Sequence, residues 1–229
     1  MKPELSIIIP ALNEEKHISE LLNSIKEQNF PCEIIVADAE SRDKTKNIAR
    51  EYGAKVVRGG IPATGRNNGA KHAKSNLLLF LDADVTLQKG FLDFCCEKIK
   101  ENNLDAATCY ALPSSKKLID KLNYKTANAW MDFFKKIKPY AHGFCIFAKK
   151  RMHNKVSGFN ESIKFGEDSD YVNRISKIGN FDIIEKYVYA SVRRFEKEGR
   201  TKSMFKYTYL NFRRLFGEIK DVKYDFGHY

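Results

Sequence analysis

In the stretch LLLFLDADVTL, Leu77 to Leu87, five apolar residues run straight into Asp82, and Ala83 alone separates it from Asp84. Residues two apart in an extended chain share a face, so both carboxylates point the same way. Such a pair can hold a hard cation together with the oxygens of a diphosphate, and that cation would neutralise charge on a departing nucleotide. A carboxylate at the same place can instead attack a phosphoryl group as a nucleophile. A second acidic cluster, GEDSD from Gly166 to Asp170, sets Glu167 and Asp168 where a helical pattern begins. Exposed N–H groups at a helix start favour a charged carboxylate. There it can take the proton of an attacking hydroxyl or simply cap the helix.

Short apolar runs alternating with helical patterns over the first 110 residues must position these acids. LSIIIP, EIIVAD, AKVV and LLLFL read as strands, with helices over Glu14 to Gln28 and Lys44 to Tyr52 and a short helix or turn in GRNNGAKHAKS. Strands apolar on both faces and alternating with helices predict a mostly parallel α/β sheet covered on both sides. Ligands of such sheets bind at the carboxyl ends of the strands. Asn13 and Glu14 follow the first strand, Asp38 ends the second, and Asp82 and Asp84 follow the fourth, so one edge should collect them all. Past Tyr110 the alternation fades. Helices are expected over residues 114 to 138, Glu167 to Lys177 and Gly199 to Gly217, a strand over Gly143 to Lys150, and paired strands in FDIIEKYVYASVRRF.

The chain of 229 residues is long enough for one α/β domain with appendages. No apolar run approaches the roughly 20 residues needed to cross a bilayer, and the start, MKPELSIIIPALNEE, does not read as a signal peptide. Five cysteines without CxxC spacing predict reduced thiols. A cytoplasmic protein is expected. The net charge of +11 favours polyanionic partners. No nucleic-acid motif accompanies it, so no nucleic-acid partner is expected.

Four segments taken together, SIIIPALNEEKHISELLNSI, EIIVADAESRDKT, GRNNGAKHAKSNLLLFLDADV and GFNESIKFGEDSDYVNRI, resemble family 2 glycosyltransferases in order and spacing over Leu5 to Ala190. The resemblance implies a GT-A fold, an inverting mechanism, a nucleotide-sugar donor and a divalent metal, Mg²⁺ or Mn²⁺. It implies that Pro10, Ala11, Asn13 and Glu14 line the nucleotide and that Asp38 holds base and ribose. Arg66, from the R-N-x-G motif, would approach the base or the diphosphate. The Asp82-Ala83-Asp84 element would meet ribose and metal, with Asp84 the main metal ligand and Asp82 the second. Asp168, with Glu167 beside it, matches the catalytic base. A rival resemblance joins Asp82, Asp84 and Thr86 to the nucleophile loop of haloacid-dehalogenase-type phosphatases. There the first aspartate is phosphorylated and the second is the acid and base, but the polar residues after the earlier strands are left without a role.

Where relatives carry a second aspartate after Asp38 this chain has Ala39, with Glu40 and Lys44 in place of glycines. The metal-completing histidine of many relatives is replaced by Ser191-Val192-Arg193-Arg194. Either the metal is then held by Asp84, diphosphate and water, or an arginine partly replaces its charge; Arg193 and Arg194 would suit the donor phosphates, the alternative being two solvated arginines. A UDP-sugar is the first choice of donor and a GDP-sugar the second, with a glycan or lipid phosphate as acceptor. Residues 191 to 229 form a basic, aromatic extension to the domain of residues 1–190, whose halves, 1–110 and 111–190, would serve donor and acceptor. Phe205, Tyr209, Phe212 and Phe216 fall at helical spacing there, a stripe that either packs on the domain with its charges in water or lies against an anionic membrane face.

Overall fold

A computed structural model of the chain describes residues 2–163 and 166–214. Its first half alternates β1 (Leu5–Ala11), α1 (Ile18–Lys26), β2 (Cys32–Asp38), α2 (Thr45–Glu51), β3 (Lys55–Arg58), α3 (Pro62–His72) and β4 (Leu77–Leu81). There follow β5 (Val85–Leu87), α4 (Phe91–Glu101), β6 (Ala106–Pro113), α5 (Leu118–Phe134), β7 (Cys145–Lys149) and α6 (Lys150–Lys155). The described chain closes with α7 (Glu167–Ser176), β8 (Phe181–Ala190), α8 (Arg193–Glu198) and α9 (Arg200–Arg214).

One sheet runs in the order β3-β2-β1-β4-β7-β6-β8-β5. The first four strands are parallel. β7 then inserts antiparallel between β4 and β6, β8 runs parallel to β6, and β5 closes the far edge antiparallel to β8. β1 lies between β2 and β4, so every one of its residues is buried, as its unbroken apolar run demands. One face packs on α1 and α4 through Ile18, Leu21, Leu22, Ile25, Phe91 and Leu92. The other packs on α3, α6 and α7 through Ala63, Met152, Tyr171 and Ile175. α3 approaches β1 closely because of Gly69, where a Cβ would lie 2.3 Å from Ile8 Cγ2.

Several expectations need correction. α1 begins at Ile18 rather than Glu14, because the chain is still outside helical geometry at His17, φ −120°, in a turn whose Glu14 N–H is held by Thr45 Oγ1 at 2.8 Å. FDIIEKYVYASVRRF is a single strand followed by α8, not a strand pair; β8 finds its partners in β6 and β5 instead. The run GFCIFAKK ends as a strand at Lys149 and continues as α6. The short strand β5 was not expected, and β6 begins before the regular alternation was expected to fade. Trp130 stacks on Phe134 with ring centroids 5.3 Å apart, a packing contact in a small cluster with Met131, Tyr140 and Ile183. All five cysteines are free thiols.

His153 sits under the second core against Phe80, Phe159 and Tyr171, with Nδ1 3.0 Å from the Tyr171 hydroxyl. Burial, helped by Arg174 and Lys150, lowers its pKa from 6.5 to about 4. The unfolded chain therefore takes a proton at this histidine below about pH 6.5, and the folded chain does not until about pH 4. Its contribution is present in full above pH 6.5 and falls by up to ~3 kcal/mol on acidification to pH 4. Urea unfolding of His153→Gln should show a shallower acid slope over that range, whatever its absolute stability. An unchanged slope would assign the titration elsewhere.

Candidate active site

The turn after β1 is pinned to the segment after β2 by side chains of the SRDKT stretch. Asn13, in the left-handed region at φ 55°, donates its N–H to Ser41 Oγ at 2.9 Å and accepts the Arg42 N–H at 2.9 Å. The Glu15 N–H goes to Asp43 Oδ2 at 3.0 Å. Asp38 stands level with Ala11 in the β1–β2 register. Its Oδ1 accepts the Ser41 N–H at 2.9 Å, while its buried Oδ2 has no hydrogen-bond partner. A buried carboxylate oxygen left unsatisfied calls for a donor from outside the chain, and a ribose hydroxyl or base N–H is of that kind. Pro10 and Ala11 are buried beside it.

Arg66 projects from α3 across the edge with only 2% of its side chain exposed. Nη2 meets Asp82 Oδ1 at 2.7 Å and Nη1 meets Glu167 Oε1 at 2.7 Å. Nη2 also donates to the Gly143 carbonyl at 3.3 Å, and the guanidinium lies 5.3 Å from the Phe159 ring centroid. Burial works against its charge, but Asp82, Glu167 and Asp168 together hold its pKa above the ordinary value. Glu167 is raised, by burial first and then by the adjacent Asp168 charge, against the pull of Arg66. Burial, and the neighbouring carboxylates Asp84 and Asp168, likewise raise Asp82 against Arg66.

Asp168 accepts the Ser169 N–H at 2.6 Å through Oδ1. At Gly143 a Cβ would stand 2.5 Å from Arg66 Nη2 and 3.4 Å from Asp168 Oδ2, so no larger residue fits between them. Asn67, the next residue of R-N-x-G, donates to the Phe159 carbonyl at 2.9 Å and to Glu161 Oε1 at 2.8 Å, and accepts the Phe159 N–H at 2.8 Å. The R-N-x-G and G-F-x-E motifs thus bind each other.

From the other side Arg193, at the start of α8, grips Glu14 with Nη1 to Oε2 at 2.7 Å and Nη2 to Oε1 at 2.6 Å. Its Nε lies 3.0 Å from Asp84 Oδ2. Burial raises the Glu14 pKa, and Arg193 opposes the rise. Arg194 lies half-buried beside Arg193, and Ala83 turns into the core at 4% exposure, away from the edge. Sequence reasoning named Arg193 but missed its carboxylate partners, and it missed Gly143 and Asn67. The glycine preceding a strand and the asparagine inside R-N-x-G were the only signals for them.

The carboxylate set fits a hard cation of the Mg²⁺ or Mn²⁺ type only in part. Among the described residues no group of three or more His, Cys, Asp or Glu is placed to hold a metal. Asp84 can supply one hard oxygen ligand, enough for a cation whose other ligands are diphosphate oxygens and water. Arg193 sits on that carboxylate, so a cation approaching Asp84 has to displace a resident positive charge.

A mixed sheet whose parallel half collects acids at its carboxyl edge, with an acidic pair brought over that edge by a later helix, is the arrangement of GT-A glycosyltransferases. Solved structures agree. S. aureus TarS 1-349 in complex with UDP-GlcNAc matches with a TM-score of 0.68 at 23% identity, over 96% of this chain and 68% of that one. The mannosyltransferase PcManGT from Pyrobaculum calidifontis, in complex with GDP-Man and Mn²⁺, matches with a TM-score of 0.70 at 20% identity, over 92% of this chain and 65% of that one. Glucosyl-3-phosphoglycerate synthase from Mycobacterium tuberculosis, with Mn²⁺, UDP and glucosyl-3-phosphoglycerate, matches with a TM-score of 0.65 at 16% identity, over 97% and 83%. The chain belongs to glycosyl transferase family 2, whose model matches residues 6–160. It is also 46% identical over 90 residues to the 4,4'-diaponeurosporenoate glycosyltransferase of Staphylococcus aureus (strain bovine RF122 / ET3-1), a match over 36% of this chain. The chain spans about a quarter (24%) of that relative's length.

Replacing Arg66 by Met should leave two carboxylates uncompensated at a buried site and lower stability by ~3–5 kcal/mol in urea unfolding. A loss well under that range would show the pair to be solvated. Arg193→Met should raise the Mn²⁺ affinity of the nucleotide-free protein roughly tenfold, about 1.4 kcal/mol, read from the electron paramagnetic resonance signal of free Mn²⁺. Unchanged or weaker affinity would mean that Arg193 does not compete for Asp84.

Proposed function

We propose that this chain transfers a sugar from a nucleotide-diphosphate sugar to an acceptor hydroxyl or lipid phosphate, by one displacement with inversion and with Asp168 as general base. The observation that carries the reading is the buried Arg66 bridge, which ties Asp82 of the donor edge to Glu167 and so fixes the adjacent Asp168 over that edge. With Glu167 held by the arginine, Asp168 is the member of the pair available to take the acceptor's proton as the bond to the anomeric carbon forms. The unsatisfied oxygen of Asp38 would take a hydroxyl or N–H of the nucleoside, beside Pro10, Ala11 and Asn13. A divalent cation bound by Asp84 and the donor's diphosphate, with Asp82 nearby, would neutralise charge on the leaving nucleotide. Arg193, released from Asp84 while Nη1 and Nη2 stay on Glu14, would turn its Nε–H to the same phosphates, with Arg194 beside it.

UDP-GlcNAc in TarS and UDP in the synthase support a UDP-sugar as donor, and GDP-Man in PcManGT keeps a GDP-sugar as the second choice. Family membership leaves the phosphatase reading without support. No helix among the described residues is long and apolar enough to cross a membrane. Exposed Phe205 and Tyr209 on α9 support a peripheral contact with an anionic membrane; the Phe212 side chain and Phe216 lie outside the described residues.

Thermal unfolding with UDP, GDP, CDP and dTDP, each with and without Mn²⁺, tests the donor half of the proposal. A nucleotide at a hundred times its dissociation constant stabilises by about 2.7 kcal/mol, and no shift with any of them would remove it. Asp168→Asn should keep that shift and lose transfer by roughly 10²–10⁴-fold, whereas retained transfer would dismiss Asp168 as the base.

A further inference from the structure

Over the carboxyl halves of β6 and β8 the sheet borders a groove of about 1140 Å³. On one face of these strands Cys109, Ala111, Val188 and Ala190 are buried in the first core. Strand alternation therefore turns Tyr110, Leu112, Tyr187 and Tyr189 to the other face, where they line the groove. Tyr187 and Tyr189 are 37% and 40% exposed. The Tyr110 and Tyr187 rings lie 5.7 Å apart, and the Tyr110 hydroxyl donates to Asp132.

The facing wall is α5, and Asn128 holds it there. Asn128 Nδ2 donates to the Ala111 carbonyl at 2.9 Å and its Oδ1 accepts the Ala111 N–H at 3.2 Å, so one side-chain amide satisfies the edge of β6 as a strand would. Lys121 and Lys125, one turn apart on α5, line the groove beside Asn128, and Lys116 adds a third ammonium from the preceding loop.

We infer that this groove is a binding subsite for an anionic oligosaccharide, the acceptor chain or the part of it behind the reacting sugar. Tyrosine offers an apolar ring face with a polar tip, which suits sugar rings that are apolar on one face and hydroxylated at the rim. Asp132 and Glu185 can accept hydrogen bonds from sugar hydroxyls. The lysines supply rotatable donors and positive charge for carboxylate or phosphate substituents. Asp132 on the wall and Glu185 on the floor disfavour the dense phosphates of a nucleic acid, and a floor of tyrosines disfavours an acyl chain. The volume exceeds the ~300–1,000 Å³ of ordinary small-molecule pockets, so it holds more than one sugar ring.

Its place in the fold supplies the link to the reaction. The Ser114 N–H donates to the Ala190 carbonyl at 2.9 Å, and the Ser191 N–H donates to the Asp84 carbonyl at 3.1 Å. The strand ends that close the groove are thus hydrogen-bonded to the turn that carries Asp84. The role as acceptor subsite rests on the transferase reading; the binding of an anionic glycan does not.

The test is calorimetric titration of the full chain with an oligogalacturonate, against neutral maltohexaose and vesicles of phosphatidylglycerol, with UDP binding read on the same samples. The oligogalacturonate should bind, and the neutral sugar should bind at least tenfold more weakly. The pair Tyr187→Ala with Tyr189→Ala, and separately Lys121→Glu with Lys125→Glu, should each weaken oligogalacturonate binding at least tenfold while melting curves and UDP binding are kept. No binding, equal binding of the neutral sugar, or binding that both pairs leave unchanged overturns the subsite. A vesicle affinity that falls with the lysine pair while the oligogalacturonate does not bind would assign the surface to lipid and overturn it too. Absent nucleotide binding beside intact, variant-sensitive glycan binding would remove the donor proposal and leave the subsite standing.

Discussion

A guanidinium withdrawn from water between two carboxylates is the constraint on which this edge of the molecule depends. Arg66 belongs to α3, Asp82 follows the end of β4 and Glu167 begins α7, so the one guanidinium ties three elements together at the edge. Separately, each of these charges would be costly to bury; together they satisfy one another. The bridge needs α3 close to β1, which Gly69 permits, and room beneath α7, which Gly143 leaves. A cation that could not span both carboxylates in a plane would not serve, and here arginine differs from lysine.

The bridge is set within a wider division of labour. The R-N-x-G and G-F-x-E motifs are spent largely on binding each other, through Asn67 and the backbone of Phe159 and through Arg66 over the Phe159 ring. Motif residues read from sequence as ligand contacts can thus be the frame that holds the contacts. The groups left at the edge itself are fewer: the orphaned oxygen of Asp38, the carboxylate of Asp168, and the Asp84–Arg193–Glu14 cluster. Asp168 and Arg193 reach the site from beyond the matched family region, which ends at residue 160. α8 and α9 are tied back to the rest of the chain by Arg200 on the buried Asp120 of α5. The same α5 walls the tyrosine-floored groove, so one helix supports both the donor-side clamp and the proposed acceptor surface.

The edge acids were legible because each follows an apolar run that can only be a buried strand, and parallel strands share their carboxyl edge whatever their neighbours do. Local chemistry likewise placed Glu167 and Asp168 at a helix start. The strand β8 was misread as a pair because its alternating pattern carries no mark of partners that lie far off in sequence, β6 and β5. The start of α1 was misplaced because the non-helical turn that ends at His17 is pinned by Ser41, Asp43 and Thr45, which lie far off in sequence.

By itself, then, the sequence determined the parallel half of the sheet, the edge on which the acids gather and the motifs that mark the family, since all of these follow from hydrophobic period and local order. Tertiary structure alone decided which charges neutralise which: Arg66 with Glu167 across 101 positions, and Arg193 with Glu14 across 179. Pattern and propensity reach a few residues along the chain, whereas an ion pair is chosen by distance in space and by how little water remains between its partners.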